Sequence, residues 1–377
     1  MNTFVGESLR SWNAIIIQSL FHTPRFDPVS IRRVLLIELN RLGDVVNALP
    51  AARTLRQRIP HVELSMAVDA RYAPLVAMEP AIDRVLGVRD TRGMWEYRGL
   101  SRSARELDVD LVLSLSPVRR NALAALVTRR RYAAGYFRGI AWGPNFARSN
   151  RIRSIGVQLA RAERFGSENI CQTALKVTRA LGFPDAERAF QFENIRMPDD
   201  PQAVELPPGV HSPYVVVHPF AGWKYRAWPP ASLRTFLAMV IGRTGFQVVV
   251  VGWGSDEEQI ATTVLDFHKG PRVVRCHSPG FPLFVRLLQR CAAFVGTDSG
   301  PLHLAAAVGA RPVGLFGPAS PELTGPVHAK GRFLRHAVKC SPCSQRRCVR
   351  PKESCMDLVR GGEAFEALMD IVTPAHV

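Results

Sequence analysis

Short runs of uninterrupted apolar residues, each closed by a polar or small-residue turn and followed by a helical stretch, restrict this chain to one class of fold. The first run, Val34-Leu35-Leu36-Ile37, leads into the turn Asn40-Arg41-Leu42-Gly43-Asp44. A parallel strand covered by helices on both faces reads this way, because it has no wet side that would demand alternation. Further strands are predicted at Glu63–Val68, Arg84–Val88 and Leu111–Leu115, with helices over Ala51–Arg58 and Ala122–Arg129. A second series follows at Tyr214–His218, Gln247–Gly252, Arg272–Cys276, Ala293–Gly296 and Pro312–Phe316. The alternation predicts an α/β protein with parallel sheets.

The chain has 377 residues, 47% of them hydrophobic, which is too long for one ordinary core and predicts two domains of about 150 to 200 residues. Pro198, Pro201, Pro207, Pro208 and Pro213 crowd the stretch between the two series and mark a linker. The expected division is therefore an N-terminal extension over 1–30, a Rossmann-like domain over 31–200 and a second over 201–377, the two sheets facing each other across a cleft. Within the extension, Leu9, Trp12, Ile16 and Leu20 share one helical stripe, which predicts an amphipathic helix docked on its own domain or on a partner. The apolar stretch Ala14–Phe21 is broken by Gln18 and Ser19 and does not read as a secretory leader. No run reaches the roughly 18 apolar residues of a membrane span, so a cytoplasmic location is expected.

Lys and Arg outnumber Asp and Glu by 49 to 32, leaving a net charge of +17. An anionic substrate or surface follows from that excess: phosphates, nucleic acid or an anionic membrane face. Between Arg98 and Arg164 every cation is Arg, and only Glu106, Asp108, Asp110 and Glu163 oppose them. The planar guanidinium fork suits discrete anionic groups, and Arg120 in this run is a candidate substrate contact. The competing reading is a solvated positive face.

Four turns after strands carry the candidate chemistry, since ligands of open α/β sheets bind beyond the carboxyl ends of the strands. In the first, Asp44 is either an N-cap, the commonest job for Asp at such a position, or a base that takes the proton of an attacking hydroxyl. In Val295–His303, Pro301 suits the first helical turn, and Ser299 and Gly300 expose amides at a helix N-terminus that favours a diphosphate. Asp298 there is a cap or a partner of sugar hydroxyls, and His303 is a satisfied core histidine or a donor to phosphate. Lys224 and Arg226, in His218–Pro229, are within reach of an anion at that strand end. The turn Gly252-Trp253-Gly254-Ser255-Asp256-Glu257-Glu258 offers acids to ribose hydroxyls. A dinucleotide fingerprint needs a third glycine where Glu257 stands, which counts against a nicotinamide enzyme.

Taken together, Arg41-Leu42-Gly43-Asp44 with Leu49-Pro50, Trp228-Pro229, Gly252–Glu258, Gly296–His303 and Phe316-Gly317-Pro318 resemble glycosyltransferase family nine, the ADP-heptose:lipopolysaccharide heptosyltransferases. The match runs over about residues 31–360 in the family's order, and ordered motifs are far more specific than any one alone. The resemblance implies a GT-B fold, with acceptor in the N-terminal domain and nucleotide sugar in the C-terminal one. It also implies inversion at the anomeric carbon without a catalytic metal. Asp44 matches the family's proposed base, and Asp298, Ser299, Gly300 and His303 match the donor-sugar and diphosphate positions. Gly43 and Thr297 in the same motifs join the expected substrate contacts, and Glu257, or Asp256 with a one-residue gap, matches the ribose contact. The family usually has Lys two residues before the Trp-Pro pair; here Arg226 stands there, and Lys224 shares the work on the leaving group. The implied partners are ADP-heptose or a related nucleotide sugar, a lipopolysaccharide core acceptor and the inner face of the cytoplasmic membrane.

Of seven cysteines, Cys171, Cys276 and Cys291 read as plain buried thiols. Cys340, Cys343, Cys348 and Cys355 are clustered, and in a reducing cytoplasm their spacing fits a metal better than disulfides. A structural zinc or iron is expected there, with free thiols as the alternative. Two further functions stay open at this point: glycosyl transfer to a protein or another glycan, and a non-enzymatic nucleic-acid-binding module. No aromatic-interleaved basic patch supports the latter, so no nucleic-acid partner is expected.

Overall fold

The computed structural model describes residues 28–89, 94–116, 118–128, 132–138, 150–152, 169–186, 190–192, 194–254, 270–327, 331–343, 347–350 and 353–372. The expected amphipathic helix of the N-terminal extension, Glu257 and its alternative Asp256 lie outside the described residues. The chain divides into two compact units. The first takes Met1–Asn40, Ala48–Ser167 and Thr173–Ala189; the second takes Arg41–Asn47, Glu168–Gln172 and Phe190–Val377.

The sheet of the first unit runs β3-β2-β1-β4-β5-β6. Its strands are β1 (Arg33–Glu38), β2 (Glu63–Asp69), β3 (Arg84–Val88), β4 (Leu111–Ser114), β5 (Tyr132–Arg138) and β6 (Asn150–Ile152). All pairings are parallel except the last, β5 with β6. Helix α1 (Leu42–Arg58) follows β1, α2 (Met94–Glu106) follows β3, and α3 (Arg119–Thr128) follows β4. Val34, Leu35, Leu36 and Ile37 of β1 are completely buried at the centre of this sheet. The uninterrupted apolar run is thus the signature of a strand with both faces covered.

The second unit has the sheet order β12-β11-β10-β7-β8-β9, parallel throughout. Its strands are β7 (Tyr214–His218), β8 (Gln247–Gly252), β9 (Val273–His277), β10 (Ala293–Thr297), β11 (Pro312–Phe316) and β12 (Arg332–Arg335). Its helices are α4 (Pro230–Arg243), α5 (Phe281–Arg290), α6 (Gly300–Ala307) and α7 (Gly361–Val372). Both units share one winding, in which strand order reverses between the first and fourth strands. In such sheets the crevice at the reversal is where ligands bind. It falls at β1/β4 in the first unit and at β7/β10 in the second.

The second core joins Val215, Val217, Leu233, Phe236, Val248, Val295, Val313 and Leu368. Trp228 is buried in it, its ring 5.6 Å from that of Phe236, and its indole N–H donates to the Val359 carbonyl at 2.8 Å. Phe236 is completely buried, so Phe236→Ala should cost about 3 to 5 kcal/mol of unit stability. Chemical denaturation followed by tryptophan fluorescence reads that shift, and a cost below about 1 kcal/mol would contradict this packing.

Candidate active site

In the second unit the site grows from the ends of β7 and β10. Thr297 closes β10, and its hydroxyl donates to the Phe220 carbonyl beyond β7, tying the two strands together where their order reverses. Its side chain is fully buried. Asp298 follows, 4% exposed, with Oδ2 3.0 Å from Nη1 of Arg226, which also donates to the Asp298 carbonyl at 3.2 Å. The Thr324 hydroxyl donates to the same carboxylate at 3.4 Å. Burial pushes the Asp298 pKa up, and Arg226 and Thr324 only partly offset it. Asp298 does not cap α6: the N-cap is Ser299.

Ser299 makes no side-chain cap bond. Its hydroxyl instead donates to the Thr297 carbonyl at 3.1 Å and lies 3.3 Å from Nδ1 of His218. Pro301 has no N–H and the Leu302 N–H donates to the Ser299 carbonyl at 3.1 Å, so the start of α6 offers an anion its dipole and the Gly300 N–H, with no side-chain cap in competition. One turn in, His303 is buried, and burial aided by the Arg226 charge pushes its pKa down to about 4. His218, packed edge-on to Phe220 with ring centroids 5.6 Å apart, is pushed by burial down to about 3. Both rings are uncharged at neutral pH.

The Asp44 turn belongs to this same unit. Helix α1 begins at Leu42, so Asp44 is its third residue, and Asp44 Oδ2 accepts from the Arg41 backbone N–H at 3.3 Å. That is the reach-back half of a capping box, and it corrects the N-cap alternative. Gly43 lies against the start of α6: a Cβ added there would stand 3.2 Å from Cδ2 of His303 and 3.5 Å from Cα of Gly300. A Cβ on Gly300 would stand 2.6 Å from Cβ of Leu42 and 3.0 Å from the Gly43 nitrogen. Backbone meets backbone here because neither residue has a side chain. The Arg41 guanidinium lies over the Trp223 ring, 4.9 Å from its centroid, beside the same turn.

The structure thus brings Gly43, Asp44, Thr297, Asp298, Ser299, Gly300, His303 and Arg226 together. Lys224 is exposed on the short turn Lys224–Arg226, which the Trp228 backbone N–H closes by donating to the Pro219 carbonyl at 2.8 Å. Arg120 belongs to the first unit, where its Nε donates to Asn40 Oδ1 at 2.7 Å. Asn40 in turn donates to Ser116, and Asn121 donates to Glu38 and Ser116, a buried polar network beyond β1 and β4. All seven cysteines are free thiols. Cys355 is buried, and its pKa is raised first by burial and then by nearby Cys343, Cys348 and Cys340. Among the described residues, however, no group of three or more His, Cys, Asp or Glu stands where it would hold a metal. Cys343 is exposed, while Cys355 is packed against the Gly317 turn.

Sequence reasoning missed Cys171, whose Sγ lies 3.8 Å from Nδ1 of His303, and Asn40 and Asn121, which brace the end of β1. The contacts of Cys171 with His303 and of Asn121 with Leu39 span 132 and 82 residues, so no local pattern flags them. The two neutral histidines have a consequence for stability. Unfolded, each takes up a proton near its ordinary pKa of 6.5; folded, each refuses it until about 4 or 3. Stability is therefore lost as pH falls below about 6.5, by up to about 1.4 kcal/mol per pH unit for each ring. Melting temperature should fall between pH 6.5 and 4.5, with a shallower slope in His218→Asn; equal slopes would contradict a buried neutral His218.

Comparison with known proteins identifies the family and the fold. The family model of glycosyltransferase family 9 (heptosyltransferase) matches residues 99–353. Lipopolysaccharide heptosyltransferase 1 of Pseudomonas aeruginosa is 27% identical over 327 residues, covering 84% of this chain and 87% of the relative. Among solved structures, a family 9 glycosyltransferase of Veillonella parvula superposes with a TM-score of 0.70 at 18% identity, covering 90% of this chain and 97% of that one. The ADP-heptose lipopolysaccharide heptosyltransferase II of E. coli superposes with a TM-score of 0.66 at 20% identity, covering 90% and 98%. With two parallel α/β units of this order and a family match over most of its length, the chain is a GT-B transferase and belongs to glycosyltransferase family 9, the heptosyltransferases.

Proposed function

We propose that this chain transfers heptose from ADP-heptose to the inner core of lipopolysaccharide with inversion, Asp44 acting as general base. One observation carries the reading: the Gly43 and Gly300 backbones touch, so the Asp44 carboxylate and the uncapped start of α6 belong to one site. The relatives' printed activity supports the sugar and the acceptor, and the E. coli structure's title supports the nucleotide.

In this reading the acceptor hydroxyl oxygen attacks the anomeric carbon while Asp44 takes its proton. The bond from that carbon to the diphosphate oxygen breaks, and ADP departs with the electron pair. Its growing negative charge is met by the first turn of α6, by His303 as a neutral donor, and by exposed Lys224. Arg226 is engaged with Asp298 in the structure and acts by holding that carboxylate toward the sugar hydroxyls. Arg120, anchored on Asn40, fits the acidic groups of the acceptor. The work belongs at the cytoplasmic membrane face; among the described residues no helix is long and apolar enough to cross a membrane.

Mass spectrometry of products from a panel of nucleotide sugars tests the donor: heptosylated core should form from ADP-heptose, and another preferred sugar would overturn that assignment. Asp44→Asn should lower turnover at least about a hundredfold, the usual contribution of a general base. Asn accepts the Arg41 N–H as Asp does, so the melting temperature should hold. Near-normal turnover, or collapse of the fold, would return Asp44 to a purely helix-capping role.

A further inference from the structure

Arg41 belongs to the second unit together with the Asp44 turn, and its backbone N–H donates to the Asp44 carboxylate at 3.3 Å. Its guanidinium lies over the Trp223 ring, 4.9 Å from the centroid, and a Cβ added to Gly222 would stand 3.7 Å from Nη1. The cation is thus carried onto the turn that follows β7. Thr297 ties that turn to the end of β10 through the Phe220 carbonyl, and α6 starts three residues after Thr297. From the other side, Gly43, two residues beyond Arg41, lies against Gly300 and His303. Both paths end at the crevice between β7 and β10, where strand order reverses.

The positive groups at this crevice differ in what they can still do. Arg226 is 3.0 Å from the Asp298 carboxylate and also donates to the Asp298 carbonyl. His303 and His218 are neutral, their pKa values pushed by burial down to about 4 and about 3. Lys224 is exposed, a hydrated point charge on a flexible stem. Arg41 is exposed too, and among the described residues no carboxylate forms an ion pair with its guanidinium. Stacking on an aromatic face restrains a guanidinium without consuming its N–H donors, which remain for a bidentate bond to phosphate. Trp223 is 39% exposed, the one exposed aromatic ring among the described residues, so it serves the surface and not a core. Its place is fixed through the backbone, where its carbonyl accepts the Arg226 N–H at 2.9 Å.

We infer that Arg41 is a catalytic cation that grips the sugar-bearing phosphate of the nucleotide sugar, and that Trp223 is the positioning residue that holds its guanidinium there. Arg41 and the base share one backbone turn, so a phosphate within reach of the guanidinium lies near the anomeric carbon. That outer phosphate gains charge as its bond to the sugar breaks, and the contact strengthens in the transition state. The inference rests on the reading of this chain as a nucleotide-sugar transferase and adds the group that meets the leaving phosphate.

Calorimetry of the full chain with ADP and with AMP is the test, since only ADP carries the outer phosphate. Arg41→Met should weaken ADP about ten- to hundredfold, one charge-assisted hydrogen bond's worth, leave AMP affinity unaltered and lower kcat. Trp223→Leu should weaken ADP roughly two- to fivefold, the worth of an exposed cation–π contact, and should add nothing in the Arg41→Met background. Both side chains are exposed, so melting temperatures should match the wild type. An ADP affinity in Arg41→Met within about twofold of wild type, or an equal loss for AMP, would overturn the inference. So would a Trp223→Leu effect that survives without Arg41. Unaltered ADP affinity with a raised KM for the acceptor would assign the cation to the acceptor and overturn it likewise. A wild type that binds UDP in place of ADP would refute the ADP donor instead, and UDP against UMP would then read Arg41.

Discussion

A contact between two glycines organises the site. Gly43, one residue into α1, and Gly300, the first residue of α6, approach until their backbones meet. Close approach of this kind is open only to residues without a Cβ. The Asp44 carboxylate, the base of the proposed reaction, thereby lies beside the N-terminus of α6. The rest of the second unit serves this geometry: Thr297 ties β10 to the turn after β7, and Trp228 pins the turn carrying the cations.

The electrostatics follow from burial. Asp298 has left water but keeps Arg226 and Thr324, so its cost of desolvation is partly met. His303 and His218 meet the same problem by staying neutral. A positive charge on His303 would attract phosphate more strongly, but Arg226 nearby and the dry surroundings disfavour it.

Much of the frame was legible in the sequence. Runs such as Val34–Ile37 and Tyr214–His218 have no polar interruption, and a strand covered on both faces needs none. Limits appeared where tertiary partners decide. The first helix was expected from Ala51 and begins at Leu42, since Gly43 and Pro50 read locally as breakers yet lie inside it. β9 was expected from Arg272 and starts one residue later, although the Arg272 carbonyl still accepts the Val248 N–H at 2.8 Å. β12, with the polar-flanked sequence Arg332–Arg335, sits at the sheet edge and carries no strong apolar signal. The assignment of Arg41–Asn47 to the second unit is invisible to any local pattern, as is the contact of Cys171 with His303.

The measurement that bears most directly on the shared site is the single-turnover rate of Gly300→Ala at saturating nucleotide sugar. One methyl there would collide with Leu42 and with the Gly43 backbone, displacing the Asp44 turn from the start of α6 while leaving both cores untouched. Misplacement on the order of 1 Å should lower the rate about a hundredfold in a protein with an unaltered circular dichroism spectrum. A rate within about twofold of wild type would contradict the account, because the base and the diphosphate site would then not depend on this contact.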